Sequence, residues 1–310
     1  MYIAEQEVRA VLTYEALLPA IRQGLMDYSA GRVNQPPRTI IRAENADDHR
    51  NGWFAVMPVV VGDVMGVKTV TFYPGNDELG LPTHMAIIEL LRRETGEPLA
   101  LMDGRLITEM RTAAVSAVAF AALAPLHFDG TPTTLGILGS GVQAHAHIEA
   151  LRLVWPHLKD IRIWSRNPAN AERLASSSGA RAVLLEEAAS AEVVLTATSS
   201  AQPILRGKDM APNALVLAVG ATGSTLRELD DEAMLSSYVV AEARAPVERE
   251  SGDVLLSGAK VQAEIGVLLA DPSAARIPRD GRIVFKTVGM AIEDLVAARL
   301  VWQAIEAQSK

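Results

Sequence analysis

The amino-acid sequence predicts an α/β protein of two domains, one a doubly wound parallel sheet and the other an α+β unit. Three observations carry this. A chain of 310 residues exceeds what one hydrophobic core usually serves. Up to Asp103 the apolar runs are mostly short and joined by turn residues, as in a strand-rich unit. From Thr134 onward strand-like runs alternate with helical patterns, the signature of βαβ units and a parallel sheet. The expected division sets residues 1–112 with 290–310 against residues 113–289.

Taken in order, Glu5–Leu12 and Tyr14–Tyr28 carry helical periodicity, the second with Leu17, Leu18, Ile21 and Leu25 inward. Asn34-Gln35-Pro36-Pro37 cannot be helical, because proline lacks a donor and restricts the residue before it. Strands are expected at Thr39–Arg42, Trp53–Val61 and Val64–Phe72, with Asn51-Gly52 and Gly62-Asp63 as tight hairpin turns. His84–Glu94 fits a strand or a helix, and Pro98–Met102 reads as a strand ending at the Asp103-Gly104 turn. Leu106–Leu123 is an Ala-rich helix joining the domains. Parallel strands are expected at Leu135–Leu138, Asp160–Ser165, Ala182–Leu184, Val193–Thr198, Ala214–Val219 and Tyr238–Ala241. Helices fall between several of them, notably Val142–Leu153 and Pro168–Ser177. Phe285–Gly289 forms a late strand and loop, and Ile292–Gln308 a closing amphipathic helix.

The stretch that organises the chain is Thr134–Ala150. A strand runs into Gly139-Ser140-Gly141-Val142-Gln143-Ala144 and then into a helix, which is the G-x-G-x-x-A fingerprint of a dinucleotide-binding Rossmann domain in its proper context. Gly139 permits the turn, Gly141 lets backbone approach a pyrophosphate, and Ala144 lets helix and strand pack closely. The N–H groups at the helix start face the phosphate charge. Small residues at Thr196-Ala197-Thr198-Ser199 and Val219-Gly220-Ala221-Thr222 end the fourth and fifth strands and leave room for a ligand, or are ordinary turns.

The second strand ends in Ser165-Arg166-Asn167, with Ser165 24 positions past Gly141. No carboxylate stands there to bond the ribose hydroxyls of NAD. A guanidinium matches the 2′-phosphate of NADP, so NADP is expected over NAD. If Arg166 only covers the adenine face, the preference stays undecided.

The bulk composition excludes several classes. Net charge is −8 with no basic run, which argues against nucleic acid as a partner. The chain has no cysteine, so disulfides, thiolate metal sites and cysteine nucleophiles are absent. His145 and His147 sit two apart on a helix and point to different faces, so no metal site is expected. Glu186-Glu187 and Asp230-Asp231-Glu232 read as solvated charges. Ala113–Leu126 is too short to span a membrane and reads as a buried helix. The N-terminus lacks the order of a signal peptide, so a cytoplasmic protein is the default expectation.

The first half carries cations in unusual settings. Arg38 opens a strand after two prolines, Lys68 sits inside the apolar run Val64–Phe72 on the face of Gly66 and Val70, and Arg111 begins the Ala-rich helix. A buried ammonium is costly unless something anionic meets it. Each alone has an ordinary reading as a salt-bridged or surface residue; the three together suggest a pocket for a carboxylate.

At this point motifs accumulate: Leu81-Pro82-Thr83-His84, Met102-Asp103-Gly104 with Ile107-Thr108, Arg111-Thr112-Ala113-Ala114, Gly136-Ile137-Leu138-Gly139-Ser140-Gly141 and Phe285-Lys286-Thr287-Val288-Gly289. In this order, over nearly the whole chain, they resemble the ornithine cyclodeaminase/mu-crystallin family. The resemblance implies an NAD(P)-binding Rossmann domain, a substrate-binding and dimerisation domain, and a homodimer. It implies that Arg38, Lys68, Thr83 and Arg111 contact an amino or imino acid. It also implies that Thr112, Val142, Gln143, Ser165, Asn167, Thr196, Ala197, Thr198, Val219, Gly220, Val288 and Gly289 join the glycine loop around the cofactor.

The cyclodeaminase branch carries an Asp where alignment through Arg227-Glu228-Leu229-Asp230 places Thr222, and a Glu where Ala55 stands. Neither replacement can act as a carboxylate. Mu-crystallin and its bacterial relatives lack the Asp too and resemble NADPH-linked ketimine reductases. The expectation is therefore a reductase of Δ1-pyrroline-2-carboxylate or Δ1-piperideine-2-carboxylate, which places it in proline metabolism. Lys68 is its candidate catalytic residue, solvent the alternative proton source, and His84 a candidate contact or a packed core histidine. Ornithine cyclodeaminase, an alanine-type dehydrogenase and a non-catalytic NADP-linked binding protein remain as alternatives.

Overall fold

The computed structural model describes residues 1–45, 50–220 and 222–308. It divides into two compact units, Met1–Arg111 with Met290–Lys310, and Thr112–Gly289.

The first unit contains β1 (Tyr2–Ile3), α1 (Glu5–Val11), α2 (Tyr14–Ser29), β2 (Thr39–Ala43), β3 (Gly52–Val61), β4 (Val64–Phe72), β5 (His84–Arg92) and β6 (Pro98–Asp103). The six strands form one sheet in the order β1-β6-β5-β4-β3-β2, antiparallel except where β1 joins β6. Gly62-Asp63 is a tight turn, with Gly62 at φ 56° and Val61 paired to Val64. Asn51-Gly52 is not: Gly52 lies inside β3 opposite Ala43, and the link from β2 passes through 46–49, outside the described residues. His84–Arg92 is a strand, because alternation puts Ala86, Ile88 and Leu90 on the buried face.

The C-terminal helix α11 (Ala291–Gln308) belongs to this unit and packs on β3, β4, β5 and α2. Leu295 lies over Gly66, where a Cβ would collide with its side chain, and Ile292 and Val296 lie against Gly24 of α2. The helix is not amphipathic along its whole length, contrary to the expectation for Ile292–Gln308. Ala291, Ile292, Glu293, Asp294 and Leu295 are all buried, so its first turns are enclosed on every side.

The Ala-rich helix α3 (Arg105–His127) is longer than its apolar run, because Asp103 accepts from the Arg105 N–H and the Gly104 carbonyl accepts from the N–H and hydroxyl of Thr108. By length and composition α3 could cross a membrane, but 72% of its most apolar stretch is buried within the protein. It is a core helix.

The second unit continues with β7 (Thr134–Leu138), α4 (Val142–Val154), β8 (Asp160–Trp164), α5 (Pro168–Ser178), β9 (Arg181–Ala182), α6 (Leu185–Ala189), β10 (Val193–Thr196) and β11 (Leu215–Ala218). After these come α7 (Asp231–Leu235), β12 (Ser237–Ala241), α8 (Arg244–Glu250), α9 (Gly252–Ser257), β13 (Val261–Glu264), α10 (Ile265–Ala270) and β14 (Arg282–Lys286). All eight strands are parallel, ordered β13-β12-β14-β11-β10-β7-β8-β9. The order reverses between β7 and β10, so the switch point of a doubly wound sheet falls beside Gly139. The late strand begins at Arg282 and sits between β11 and β12, inside the sheet. The expected strand at Ala182–Leu184 shortens to Arg181–Ala182, since Leu184 already caps α6. Strand β13 and the short helices α6 to α10 went unread because each is too short to show a period.

Candidate functional site

In the first unit the pleat of β4 turns Lys68 inward, where it is 3% exposed. Its Nζ lies 2.6 Å from Asp294 Oδ2. Arg111 donates from Nε to Asp294 Oδ1 at 3.0 Å and from Nη1 to Glu293 Oε2 at 2.7 Å. Glu293 Oε2 also accepts from the Met290 N–H at 3.1 Å, which ties the cluster to the start of α11. Arg38 reaches Met57, the residue paired with Lys68 across β3 and β4. Burial pushes the Lys68 ammonium down to about 8; Asp294 opposes that, and the charges of Arg111 and Arg38 add to it.

Contrary to the expectation from sequence, Lys68 and Arg111 do not wait for an external anion, because Asp294 and Glu293 already meet them. Arg38 adds a third cation beside these two ion pairs, at Met57. Thr83 stands just before β5, its carbonyl accepting from the Tyr73 N–H. His84 packs its ring 4.5 Å from that of Phe72.

In the second unit Gly139 adopts φ 131°, and an added Cβ would strike the Ala197 carbonyl. It is held to glycine by conformation and by close approach. Gly141 differs: its φ of −81° suits any residue, and a Cβ there would meet nothing within 4 Å. Its open face lies at the N-terminus of the 13-residue helix α4, which has no side-chain cap and no acid in its first turn. That is space and polarity for a phosphate. Ser140 donates to Ser165 at 2.8 Å, joining the loop to the end of β8. Val142 is exposed, while the Gln143 Oε1 is buried with no partner among the described residues.

Arg166 is exposed and forms no hydrogen bond or ion pair among the described residues. Asn167 is engaged elsewhere, its Oδ1 capping α5 by accepting from the Ala169 N–H at 3.1 Å. These residues fit a dinucleotide, with no acid at the end of β8 to repel a 2′-phosphate.

The strand-end residues are held by a buried network that sequence reading missed. Glu228 Oε1 accepts from the Thr198 N–H at 2.7 Å and from its hydroxyl at 2.6 Å. Thr196, fully buried, lies at the same carboxyl. Lys286 pairs with Asp253 at 2.9 Å and donates to the Gly220 carbonyl at 2.8 Å. Asp253 in turn accepts from the N–H groups of Glu228 and Leu229. Burial pushes the Glu228 carboxyl above its usual range, against the pull of Lys286 and the threonines. Val288 and Gly289, expected at the cofactor, give their N–H groups to the buried Glu242, which also accepts from Thr287. Val219 and Thr112 are buried, and Ala221 lies outside the described residues.

Lys286 could have been found, since it closes an apolar strand run with a charge. Glu293 and Asp294 could not, because two acids near a helix start read as ordinary dipole partners. His147 is also structural. It donates from Nδ1 to the Gln143 carbonyl and accepts at Nε2 from Ser116, and burial holds it near 4, a neutral tie between α3 and α4. Asp230 is not merely solvated, for it caps α7 and accepts from the Gly207 N–H.

Comparison with known proteins gives consistent relatives. The family model of the ornithine cyclodeaminase/mu-crystallin family matches residues 1–309. The chain is 39% identical to ketimine reductase mu-crystallin of Mus musculus, over 98% of this chain and 96% of that protein. Its fold is similar to that of Thermococcus litoralis Δ1-pyrroline-2-carboxylate reductase in complex with NADH and L-proline (TM-score 0.90, 28% identity, 100% of this chain and 98% of that one). It is also similar to an archaeal alanine dehydrogenase dimer with bound NAD (TM-score 0.91, 26% identity, 100% and 97%).

Proposed function

We propose that this chain, which belongs to the ornithine cyclodeaminase/mu-crystallin family, is an oxidoreductase that reduces cyclic ketimine carboxylates to cyclic L-amino acids with NADPH. The observation that carries the reading is the buried cluster of Lys68, Arg111, Glu293 and Asp294. Its acids hold the cations in fixed positions beside Arg38, where a substrate carboxylate can be met. Arg38 and Arg111 orient that carboxylate, which fixes the adjacent C=N carbon. Lys68, near 8, keeps a proton at neutral pH that it can pass to the imine nitrogen. Protonation makes the carbon electrophilic. The nicotinamide, when bound, supplies the hydride.

Ala55 supports this over cyclodeamination. It lies on the face of Lys68, two pairs along the sheet, and offers no carboxylate to a diamino acid's second ammonium. Arg166, exposed and without a partner among the described residues, supports NADPH, although the two similar structures hold NADH and NAD. The open face of the first sheet supports a homodimer. Tyr2, Met85, Ile87 and Leu101 are each more than 40% exposed there, an apolar surface suited to a second copy.

The test is NADPH oxidation by the purified protein with Δ1-pyrroline-2-carboxylate and Δ1-piperideine-2-carboxylate. Turnover of either at micromolar-to-millimolar substrate is expected. Ammonia release from ornithine with no imine-dependent oxidation overturns the reading.

A further inference from the structure

Beside Lys68 the inner face of the first sheet carries two rows of residues that the carboxylate grip does not use. The nearer row holds Ala55, Val70 and Ala86, paired in register across β3, β4 and β5. The farther row holds Trp53, Phe72 and His84, also in register. Strand alternation puts both rows on the face of Lys68. In the farther row the rings of Trp53 and Phe72 stack with centroids 5.8 Å apart, and Phe72 and His84 are 4.5 Å apart, so the three form a continuous ladder.

The nearer row is a step down between two taller ones. Ala86 is sealed by the Gly104 turn, where an added Cβ would come within 3.0 Å of the Ala86 Cβ. Ala55 and Val70 stay half-buried and form the open floor. Trp53 is 40% exposed at the far edge. The span from Lys68 to Phe72 is four residues, about 13 Å at the rise of a strand. A five-membered ring whose carboxylate sits at Lys68 ends over Ala55 and Val70 and does not reach the rings. None of Ala55, Val70, Trp53 and Phe72 offers a carboxylate to a second ammonium, whereas a flat apolar group gains contact with both rows.

We propose that this recess receives an apolar, aromatic substituent on the side of the imine ring remote from the carboxylate, so that the preferred substrates are aryl-bearing cyclic ketimine carboxylates. The proposal rests on the reductase reading for the bond that is reduced, and on the recess alone for the preference.

The test compares Δ1-pyrroline-2-carboxylate with its 5-phenyl derivative as substrates, and proline with 5-phenylproline as ligands of the NADP-loaded protein by calorimetry. The phenyl compounds are expected to be favoured about tenfold in kcat/KM, through KM, and about tenfold in Kd, a factor that corresponds to about 1.4 kcal/mol. Phe72→Ala should bring both ratios to about one. Ala55→Leu, which fills the floor, should do the same, and thermal melting identifies a variant that has not folded. Equal efficiency and equal affinity for the two members of each pair overturn the recess and leave the reductase intact. Reduction of neither imine, with 5-phenylproline still bound about tenfold tighter and Phe72→Ala removing the difference, overturns the reductase and upholds the recess. Ratios unchanged in both folded variants overturn the recess.

Discussion

At the scale of single residues, Lys68 shows what burial does to a charge and what that does to chemistry. Removal from water lowers its affinity for a proton to about 8, and Asp294, 2.6 Å away, limits the fall. The charged, proton-donating form is therefore full below about pH 8 and is lost as pH rises through it. If Lys68 supplies the proton, kcat/KM for the imine falls about tenfold per pH unit above that point. Lys68→Arg keeps the positive charge opposite Asp294 and moves the titration far higher, so the alkaline limb should disappear while activity drops. An unchanged limb in the variant assigns the proton to solvent. Lys68 was legible as an ammonium in an apolar strand. Its partner was not, because Lys68 and Asp294 lie 226 residues apart in sequence (294 − 68).

At the scale of elements, the junction of β8 and α5 decides how the second strand presents its side chains. Pro168 opens α5 with a preset φ, and Asn167 caps it, so the chain leaves the strand in a fixed turn. Arg166 stands in that turn, exposed and without a partner among the described residues. Arg166→Asp should lower the preference for NADPH over NADH by about 10–100-fold, the range expected for one charge-assisted contact replaced by a repulsion. The measurement is the ratio of kcat/KM for the two cofactors, and an unchanged ratio removes Arg166 from the 2′-phosphate role. The junction was half legible. The motif Ser165-Arg166-Asn167 was visible, but cap and ligand contact call on the same residue types, and only the hydrogen bond from Ala169 separates Asn167 from Arg166.

At the scale of the whole molecule, the first sheet buries one face under α11 and leaves Tyr2, Met85, Ile87 and Leu101 open on the other. A homodimer through that face should appear as twice the chain's 33.2 kDa by light scattering, and the double substitution Ile87→Glu with Leu101→Glu should yield a monomer. A monomeric unmodified protein refutes that use of the face. The sequence by itself determined the parallel sheet and several strands of the first one, since βαβ order and pleat alternation are local patterns, but it left His84–Arg92 between strand and helix. It also determined the glycine loop, because Gly139 and Gly141 sit in a strand–turn–helix context that has few other uses. Only the tertiary structure decided which carboxylates meet Lys68, Lys286 and Arg111, and that Glu242 takes the N–H groups of Val288 and Gly289. The physical reason is that the cost of burying a charge is a property of its surroundings, and those are assembled from segments that no local pattern relates.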